Sequence, residues 1–175
     1  DLFKFNSFKY VGDPANTLSI FNDLLVDELV ILDISAAKSS RPPNFKILKQ
    51  IAEECFMPLT YGGGVANLEN AKKIFDLGFE KISINTKAFT NPNLIKDLSS
   101  YFGSQSIIGS IDVKNNLFRQ KKVVSHGGRQ FTKWDPLDWA IELERLGVGE
   151  ILLTSVDREG TWNGMDNNLI SQISN

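Results

Sequence analysis

Short apolar runs alternate along the chain with stretches in which apolar residues recur every three or four positions. Five runs are dense in Ile, Leu and Val, as is typical of strands buried on both faces: residues 29–35, 58–61, 81–85, 107–113 and 150–155. Between them, apolar residues at helical spacing predict helices, for example Leu68, Ala71, Ile74 and Phe75. Strand and helix in regular alternation predict right-handed βαβ units and a parallel sheet.

Local signals predict where several of these helices begin and end. Asp or Asn before Pro favours a helix start, because the side chain can cap the first turn and Pro suits the first helical position. The three such pairs are Asp13-Pro14, Asn91-Pro92 and Asp135-Pro136. Glycine favours a helix end, and Gly78, Gly103 and Gly147 follow predicted helices.

This alternation fits either an open doubly wound sheet or a closed barrel. The run DELVILDIS from Asp27 resembles GEILLTSVD from Gly149, 122 residues later. That offset is about half of a barrel of roughly 250 residues, which favours a duplicated half-barrel. We therefore predict an α/β protein with a (β/α)8 TIM barrel. Residues 1–175 would form a single, partial phosphate-binding domain that lacks about one N-terminal and about two C-terminal strands.

Composition narrows the function classes. A hydrophobic content of 42% and a net charge of −2 are ordinary for a soluble globular protein and give no reason to expect nucleic acid or a membrane as partner. One cysteine excludes an internal disulfide, and with no signal-like start or long apolar run the chain is expected to be cytoplasmic. The single histidine and the absence of zinc-type spacing predict no metal and no cofactor.

Candidate binding residues follow two neighbouring predicted strands, where barrel enzymes hold their reactive groups. Gly63 and Gly64 in YGGG would let backbone N–H groups approach a phosphate, although a tight turn that requires positive φ gives the same sequence. Asn85 and Thr86 end the next strand, where they would either reach the same phosphate or cap a helix.

Asp112 is the candidate catalytic residue. It ends an otherwise apolar strand in SIDVK, and burial there would raise its pKa into the range of a general acid or base. The alternatives are pairing with Lys114 or capping of a turn. Four further residues occupy the same rim, where substrate binding and supporting hydrogen bonds are equally expected: Asp33, Thr154, Ser155 and Asp157.

The opposite end of the strands carries a second charged pattern. Glu28, Lys81 and Glu150 each stand at the start of a strand, either as a stabilising ionic cluster or as a functional floor that admits something from below. The segment KKVVSHGGRQF predicts an exposed hairpin or flap, with His126 as an ordinary turn residue.

Taken together, the motifs resemble the HisF family, the ammonia-using cyclase subunits of imidazole glycerol phosphate synthase. The resemblance covers essentially the whole chain and rests on the order and spacing of GDP at Gly12, DELVILDIS, PLTYGGG, KISINT, FGSQSIIGSIDVK, HGG and GEILLTSVDREGTWNGMD. The related isomerase family HisA shares the glycine loop but typically has glycine where Asn85 stands.

The resemblance implies a (β/α)8 barrel that combines ammonia with a bis-phosphate substrate, giving imidazole glycerol phosphate and aminoimidazole carboxamide ribotide in histidine biosynthesis. Asp112 matches one of two catalytic aspartates; the other falls outside the chain. One phosphate site matches Gly63, Gly64, Asn85 and Thr86. A glutaminase subunit (HisH-like) would dock at the barrel floor, where Glu28, Lys81 and Glu150 match an ammonia gate.

Two segments depart from the histidine-pathway enzymes. ECFMPLTYGGG and residues 41–45 look more like HisF paralogues encoded with surface-polysaccharide genes, which are thought to supply ammonia to a sugar amidotransferase. Tyr61 and Trp162 would then be the positions near the mouth to inspect for an altered substrate. The functions to compare are therefore an ammonia-dependent lyase-cyclase, an ammonia-channelling subunit for a sugar amidotransferase, and an unrelated sugar-phosphate barrel enzyme.

Overall fold

The structure, a computed structural model, describes residues 14–39 and 41–174, with side chains for 17–36 and 41–174. The helices are α1 (Pro14–Asp23), α2 (Ile34–Ser39), α3 (Phe45–Glu54), α4 (Leu68–Asp76), α5 (Thr86–Thr90), α6 (Pro92–Phe102), α7 (Pro136–Leu146) and α8 (Asn167–Ser174). The strands are β1 (Leu29–Leu32), β2 (Leu59–Gly62), β3 (Lys81–Ile84), β4 (Ile107–Asn115), β5 (Lys121–Ser125), β6 (Gln130–Phe131) and β7 (Glu150–Ser155). No helix in this part of the chain is long and apolar enough to cross a membrane.

The parallel strands follow the order β1-β2-β3-β4-β7, and the β5–β6 hairpin pairs antiparallel with β4. The sheet curls with its helices into a partial (β/α)8 barrel, so the predicted fold is confirmed. All five predicted strands are present. The first is shorter than predicted, because Asp33 Oδ1 accepts from the backbone N–H of Ala36 at 2.8 Å, and this places Ser35 in α2 rather than in β1.

Strand alternation divides the side chains between an inner, concave face and an outer face that packs on the helices. Thr60 aligns with Lys81 and Gly62 with Ser83, so these four residues face inward. Tyr61 therefore faces outward: it is only 1% exposed, and its ring meets Phe79 edge-on at 6.0 Å. Tyr61 stands near the carboxyl end of β2 as predicted, but its side chain is directed away from the mouth, so its interpretation as a position that alters the substrate was wrong.

The hydrophobic core lies between the outer face of the sheet and the apolar stripes of the helices. Helix residues Ile74, Leu98 and Leu143 are fully buried against it, together with Ile107 of β4. Burial of each such side chain stabilises the fold by about 1.5–3 kcal/mol, so packing of these stripes holds the helices against the sheet.

The predicted helix starts at Pro14, Pro92 and Pro136 are confirmed. The capping role was wrong at Asn91 and Asp135, whose side chains make no cap hydrogen bond; the Asp135 carboxylate instead binds Lys122 Nζ at 3.0 Å. Asp13 lies outside the described residues.

The predicted hairpin is present, but it is not an exposed flap. Val123 and Val124 are fully buried, and Ser125 is 4% exposed. Val123 is paired with Val113 of β4 on one side, and on the other its N–H donates to Trp134 O at 3.1 Å and its carbonyl accepts from Thr132 N at 2.9 Å. The turn with His126 and the strand β6 are exposed, so the prediction of an exposed hairpin was wrong only for residues 123–125.

Candidate functional site

Asp112 lies at the carboxyl end of the inner face, where β4 is flanked by Val124 of β5 and Thr154 of β7. The residue is 8% exposed, and its Oδ2 accepts a hydrogen bond from Asn85 Nδ2 at 3.0 Å. Burial raises the pKa of Asp112 to about 6, opposed in part by hydrogen bonds from Asn85 and the Thr154 hydroxyl. A carboxyl with this pKa can exchange a proton near neutral pH.

The alternative partner predicted for Asp112 does not occur among the described residues. Lys114 makes no ion pair with it, and the hydrogen bonds to Asp112 come from Asn85 and Thr154. The carboxyl is therefore buried without a cation, which leaves its proton affinity high.

Gly63 and Gly64 form the loop at the end of β2, next to β1 and β3. Both have positive φ, 121° and 67°. A Cβ on Gly63 would meet the backbone of Asp33, and one on Gly64 would meet the carbonyl of Arg41. The tight-turn requirement is therefore real at both positions, and the phosphate-binding role stays a prediction. Helix α4 begins four residues after Gly64, with Asn67 as its cap.

Asn85 and Thr86 follow β3 on the same rim, one strand from the glycine loop. Asn85 stands at the N-cap position of α5 but makes no cap hydrogen bond, so the capping alternative was wrong for its side chain. Thr86 Oγ1 accepts from the backbone N–H of His126 at 3.4 Å, and His126 Nδ1 lies 3.0 Å from Ser125 Oγ. The hairpin turn is thus held against the Asn85-Thr86 segment.

The remaining predicted rim residues make supporting hydrogen bonds in this structure. Asp33 caps α2, and Asp157 Oδ2 accepts from the backbone and side-chain N–H groups of Asn115 at 2.7 and 2.9 Å. The Ser155 carbonyl accepts from the N–H groups of residues 158 and 159, which closes the loop after β7. Of this set, Thr154 alone contacts Asp112.

Glu28, Lys81 and Glu150 meet at the amino ends of the strands, as their positions predicted. Lys81 Nζ lies 3.2 Å from Glu28 Oε2 and 2.8 Å from Glu150 Oε1. The Thr60 hydroxyl donates to Glu28 Oε1 at 2.6 Å, and this bond, more than Lys81, holds the pKa of Glu28 below its usual value. Lys81 has a raised pKa, chiefly through Glu150. These three charged residues and Thr60 are called the floor cluster below.

Three inner-face residues were not predicted from the sequence. Thr60 belongs to the floor cluster, while Ser83 and Ser110 lie between that cluster and Asp112. The available signal was strand parity, because Ser83 stands two residues from Lys81 and Ser110 two residues from Asp112. The inner face therefore carries polar groups from the floor to the rim.

Comparison of the sequence with known proteins identifies the family. The chain is 48% identical over 171 residues to the putative imidazole glycerol phosphate synthase subunit hisF2 of Pseudomonas aeruginosa, covering 98% of this chain and 68% of that protein. It is 41% identical to the putative HisF subunit of Leptospira interrogans and 40% identical to the HisF subunit of Chlorobium chlorochromatii. Each of these matches covers 97% of this chain and 67% of the relative. The resemblance to HisF is confirmed. Since a sequence model of the histidine biosynthesis protein family also matches residues 3–175, the chain belongs to that family.

Proposed function

We propose that the chain works as the cyclase subunit of imidazole glycerol phosphate synthase. It would combine ammonia with a bis-phosphate ribulosyl-formimino ribonucleotide, a lyase-type cleavage and cyclisation that gives imidazole glycerol phosphate and aminoimidazole carboxamide ribotide. The HisF names of the relatives and the family match support this assignment. We further infer that residues 1–175 belong to one phosphate-binding barrel domain and that the protein acts in the cytoplasm.

The observation that carries the proposal is the state of Asp112. A buried carboxyl at the carboxyl end of a barrel strand, with a pKa of about 6, is suited to both giving and taking a proton near neutral pH. Asn85 and Thr154 direct hydrogen bonds at this carboxyl, and Asn85 fixes the orientation of Oδ2. In this function Asp112 transfers protons to or from the reacting nitrogen and carbon centres.

The rim around Asp112 supports phosphate binding. The loop of Gly63 and Gly64 ends β2, and Thr86 begins α5 after the adjacent β3, so their backbone N–H groups share one edge of the sheet. Backbone N–H groups at such a rim are common phosphate ligands in barrels. Asp33, Ser155 and Asp157 would act around this site by holding the rim loops in place.

The floor cluster supports a second role, the docking of a glutaminase subunit and the entry of its ammonia. The relatives' names describe subunits, which implies a partner. Lys81 is held between two carboxylates at the end of the inner face opposite Asp112. Ammonia entering here would travel along the inner face to the carboxyl end without passing through bulk water.

The test is the Asp112→Asn variant of the intact protein, assayed with added ammonia and the ribulosyl-formimino substrate. We expect turnover to fall by about 10³-fold or more, with substrate affinity within about threefold of wild type, because the isosteric amide keeps the shape of the site but not its acid–base chemistry. Asp97→Asn, at an exposed position of α6, is the matched control. Full activity of Asp112→Asn would remove Asp112 from the mechanism. Inactive wild-type protein would instead favour the ammonia-channelling alternative.

A further inference from the structure

The side chain of Asn85 has an unusual set of partners for a residue that precedes a helix. Its Nδ2 donates to Asp112 Oδ2 at 3.0 Å and lies 3.4 Å from Ser110 Oγ, both on the neighbouring strand β4. The backbone, with φ −115° and ψ −92°, turns this side chain away from α5, where it makes no cap. The donor end of the amide is therefore committed to β4.

The other end of the same amide is unsatisfied. Asn85 Oδ1 is a buried atom without a hydrogen-bond partner among the described residues. Above a pH of about 6 Asp112 is ionised and only accepts hydrogen bonds, so the amide nitrogen is the end that faces it, and this leaves the oxygen as a buried acceptor. A buried acceptor of this kind costs free energy until a donor reaches it.

These contacts decide which ligand group the side chain can hold. A phosphate dianion offers only acceptor oxygens to Oδ1, and the side-chain donors of Asn85 are already directed at Asp112 and Ser110. A dianion at this rim would then be held by other donors, such as backbone N–H groups and the Thr86 hydroxyl. An N–H donor such as ammonia or an amine is the group that matches Oδ1.

We propose that Asn85 is the positioning residue of Asp112 and that its Oδ1 receives the N–H of the nitrogen nucleophile. The proposal rests on the proposed function, in which ammonia is that nucleophile. One side chain thus joins the proton-transferring carboxyl to the nitrogen compound beside it, and Thr154 holds the carboxyl from the β7 side.

The pKa of Asp112 tests whether Asn85 positions this carboxyl. The ionisable groups on the elements around it are Lys81 on β3, Lys114 on β4, Lys121 and Lys122 on β5, His126 in the hairpin turn and Glu150 on β7. Lys81 pairs with Glu150, Lys121 with Asp166 and Lys122 with Asp135. None of them contributes to the pKa of Asp112, which is set by burial and by hydrogen bonds from Asn85 and Thr154. Loss of the Asn85 donor must therefore raise this pKa.

Two substitutions separate the positioning role of Asn85 from its role as hydrogen-bond acceptor. Asn85→Leu removes both donor and acceptor at similar volume, whereas Asn85→Asp keeps an acceptor oxygen but removes the donor. In the intact protein without substrate, carboxyl ¹³C NMR titration should show the Asp112 pKa above about 6 in both variants. The KM for ammonia should rise about tenfold in Asn85→Leu and stay within about threefold of wild type in Asn85→Asp, since one hydrogen bond corresponds to roughly that factor.

Thr154→Val is the matched control, because it removes the second donor to Asp112 without touching Asn85 Oδ1. It should raise the Asp112 pKa, and its ammonia KM should rise less than that of Asn85→Leu. The Kd for inorganic phosphate, measured by calorimetry at a pH of about 8.5 where the dianion prevails, should change by less than about twofold in Asn85→Leu. If the Asn85 side chain bound phosphate, the variant would lose about tenfold or more in phosphate affinity.

An unchanged Asp112 pKa or a phosphate loss of that size in Asn85→Leu would overturn the positioning role, and an unchanged ammonia KM would overturn the acceptor role. Wild-type protein that does not turn over ammonia defeats the proposed function alone, since the NMR titration still decides the positioning.

Discussion

Lys81 Nζ lies 2.8 Å from Oε1 of Glu150, a residue 69 positions further along the chain and two strands away in the sheet. On its other side, Lys81 reaches Glu28, also two strands away. In a flat sheet these positions would be about 10 Å from Lys81 on either side, so the curvature of the inner face brings them together. Ion pairs this accessible contribute only about 0–1 kcal/mol to stability, which favours a functional reason for the floor cluster.

Under the proposed function, the floor cluster should couple the chain to a glutaminase subunit without affecting chemistry at the rim. Lys81→Met removes the cation and leaves Glu28 and Glu150 unpaired. We expect glutamine-dependent turnover to fall by about tenfold or more, while turnover with added ammonia stays within about twofold, because Asp112 lies at the other end of the strands. Steady-state assays with each nitrogen source measure the ratio. Lys73→Met, which breaks the exposed pair with Glu69 on α4, is the control. Equal losses with both nitrogen sources would contradict the coupling role.

The buried carboxyl of Asp112 should make the folded protein less stable as pH rises. Its pKa is raised from 3.8 to about 6, so between these values the folded state binds more protons than the unfolded state, and the free energy of unfolding falls with increasing pH. Asp112→Asn removes this dependence. At pH 8 the variant should be more stable than wild type by on the order of 3 kcal/mol, and below pH of about 4 the difference should disappear.

Urea unfolding at the two pH values measures this difference. The exposed Asp97→Asn should match wild type within about 0.5 kcal/mol at both. A variant of Asp112 that is no more stable than wild type at pH 8 would show that Asn85 and Thr154 fully compensate the burial of the charge. The expected gain reflects the cost of burying a charged carboxylate, and under the proposed function its removal would stabilise the protein while lowering activity.

The sequence predicted the strands and the grouping of residues by rim, because both depend on local pattern. Alternating runs are enough for a parallel sheet, and each residue next to a strand end must lie at one rim or the other, as the floor cluster confirms. Contacts that depend on the register between strands could not be predicted from the sequence. The Asn85–Asp112 hydrogen bond requires the alignment of β3 with β4, and the outward direction of Tyr61 requires the alignment of β2 with β3, which places Thr60 beside Lys81.

The hairpin shows a second limit of the sequence. Lysines, glycines and the single histidine gave the segment the composition of an exposed loop, yet Val123 and Val124 are fully buried. Two valines between polar neighbours carry too little periodicity to predict a buried strand. Their burial follows from pairing with β4, which extends past its parallel neighbours to Asn115 and so offers an edge to β5.

Gly63 should tolerate substitution less well than another glycine of similar backbone conformation. Gly63 has φ 121°, and an added Cβ would collide with the backbone of Asp33; Gly78 has φ 100°, with nothing within 4 Å of the same atom. Gly78→Ala should cost about 1–2 kcal/mol through backbone strain alone. Gly63→Ala should cost at least about 1 kcal/mol more, because β1 must move as well. Thermal or urea unfolding of both variants gives the comparison, and equal costs would contradict the close approach to Asp33.

The hairpin should behave as a fixed wall of the site rather than as a flap that opens for substrate. Val123 is bonded through both its N–H and its carbonyl, and Val124 pairs with Asp112. In native-state hydrogen exchange, the amide of Val123 should therefore be protected nearly as strongly as those of the core strands, with opening close to global unfolding. The amide of Leu117, at the 98% exposed tip between β4 and β5, serves as the unprotected reference. Val124→Ala should destabilise the protein by about 1–3 kcal/mol through the cavity it leaves. Rapid exchange at Val123 without loss of the core signals would show that the hairpin opens on its own, and Asp112 would then be only intermittently buried.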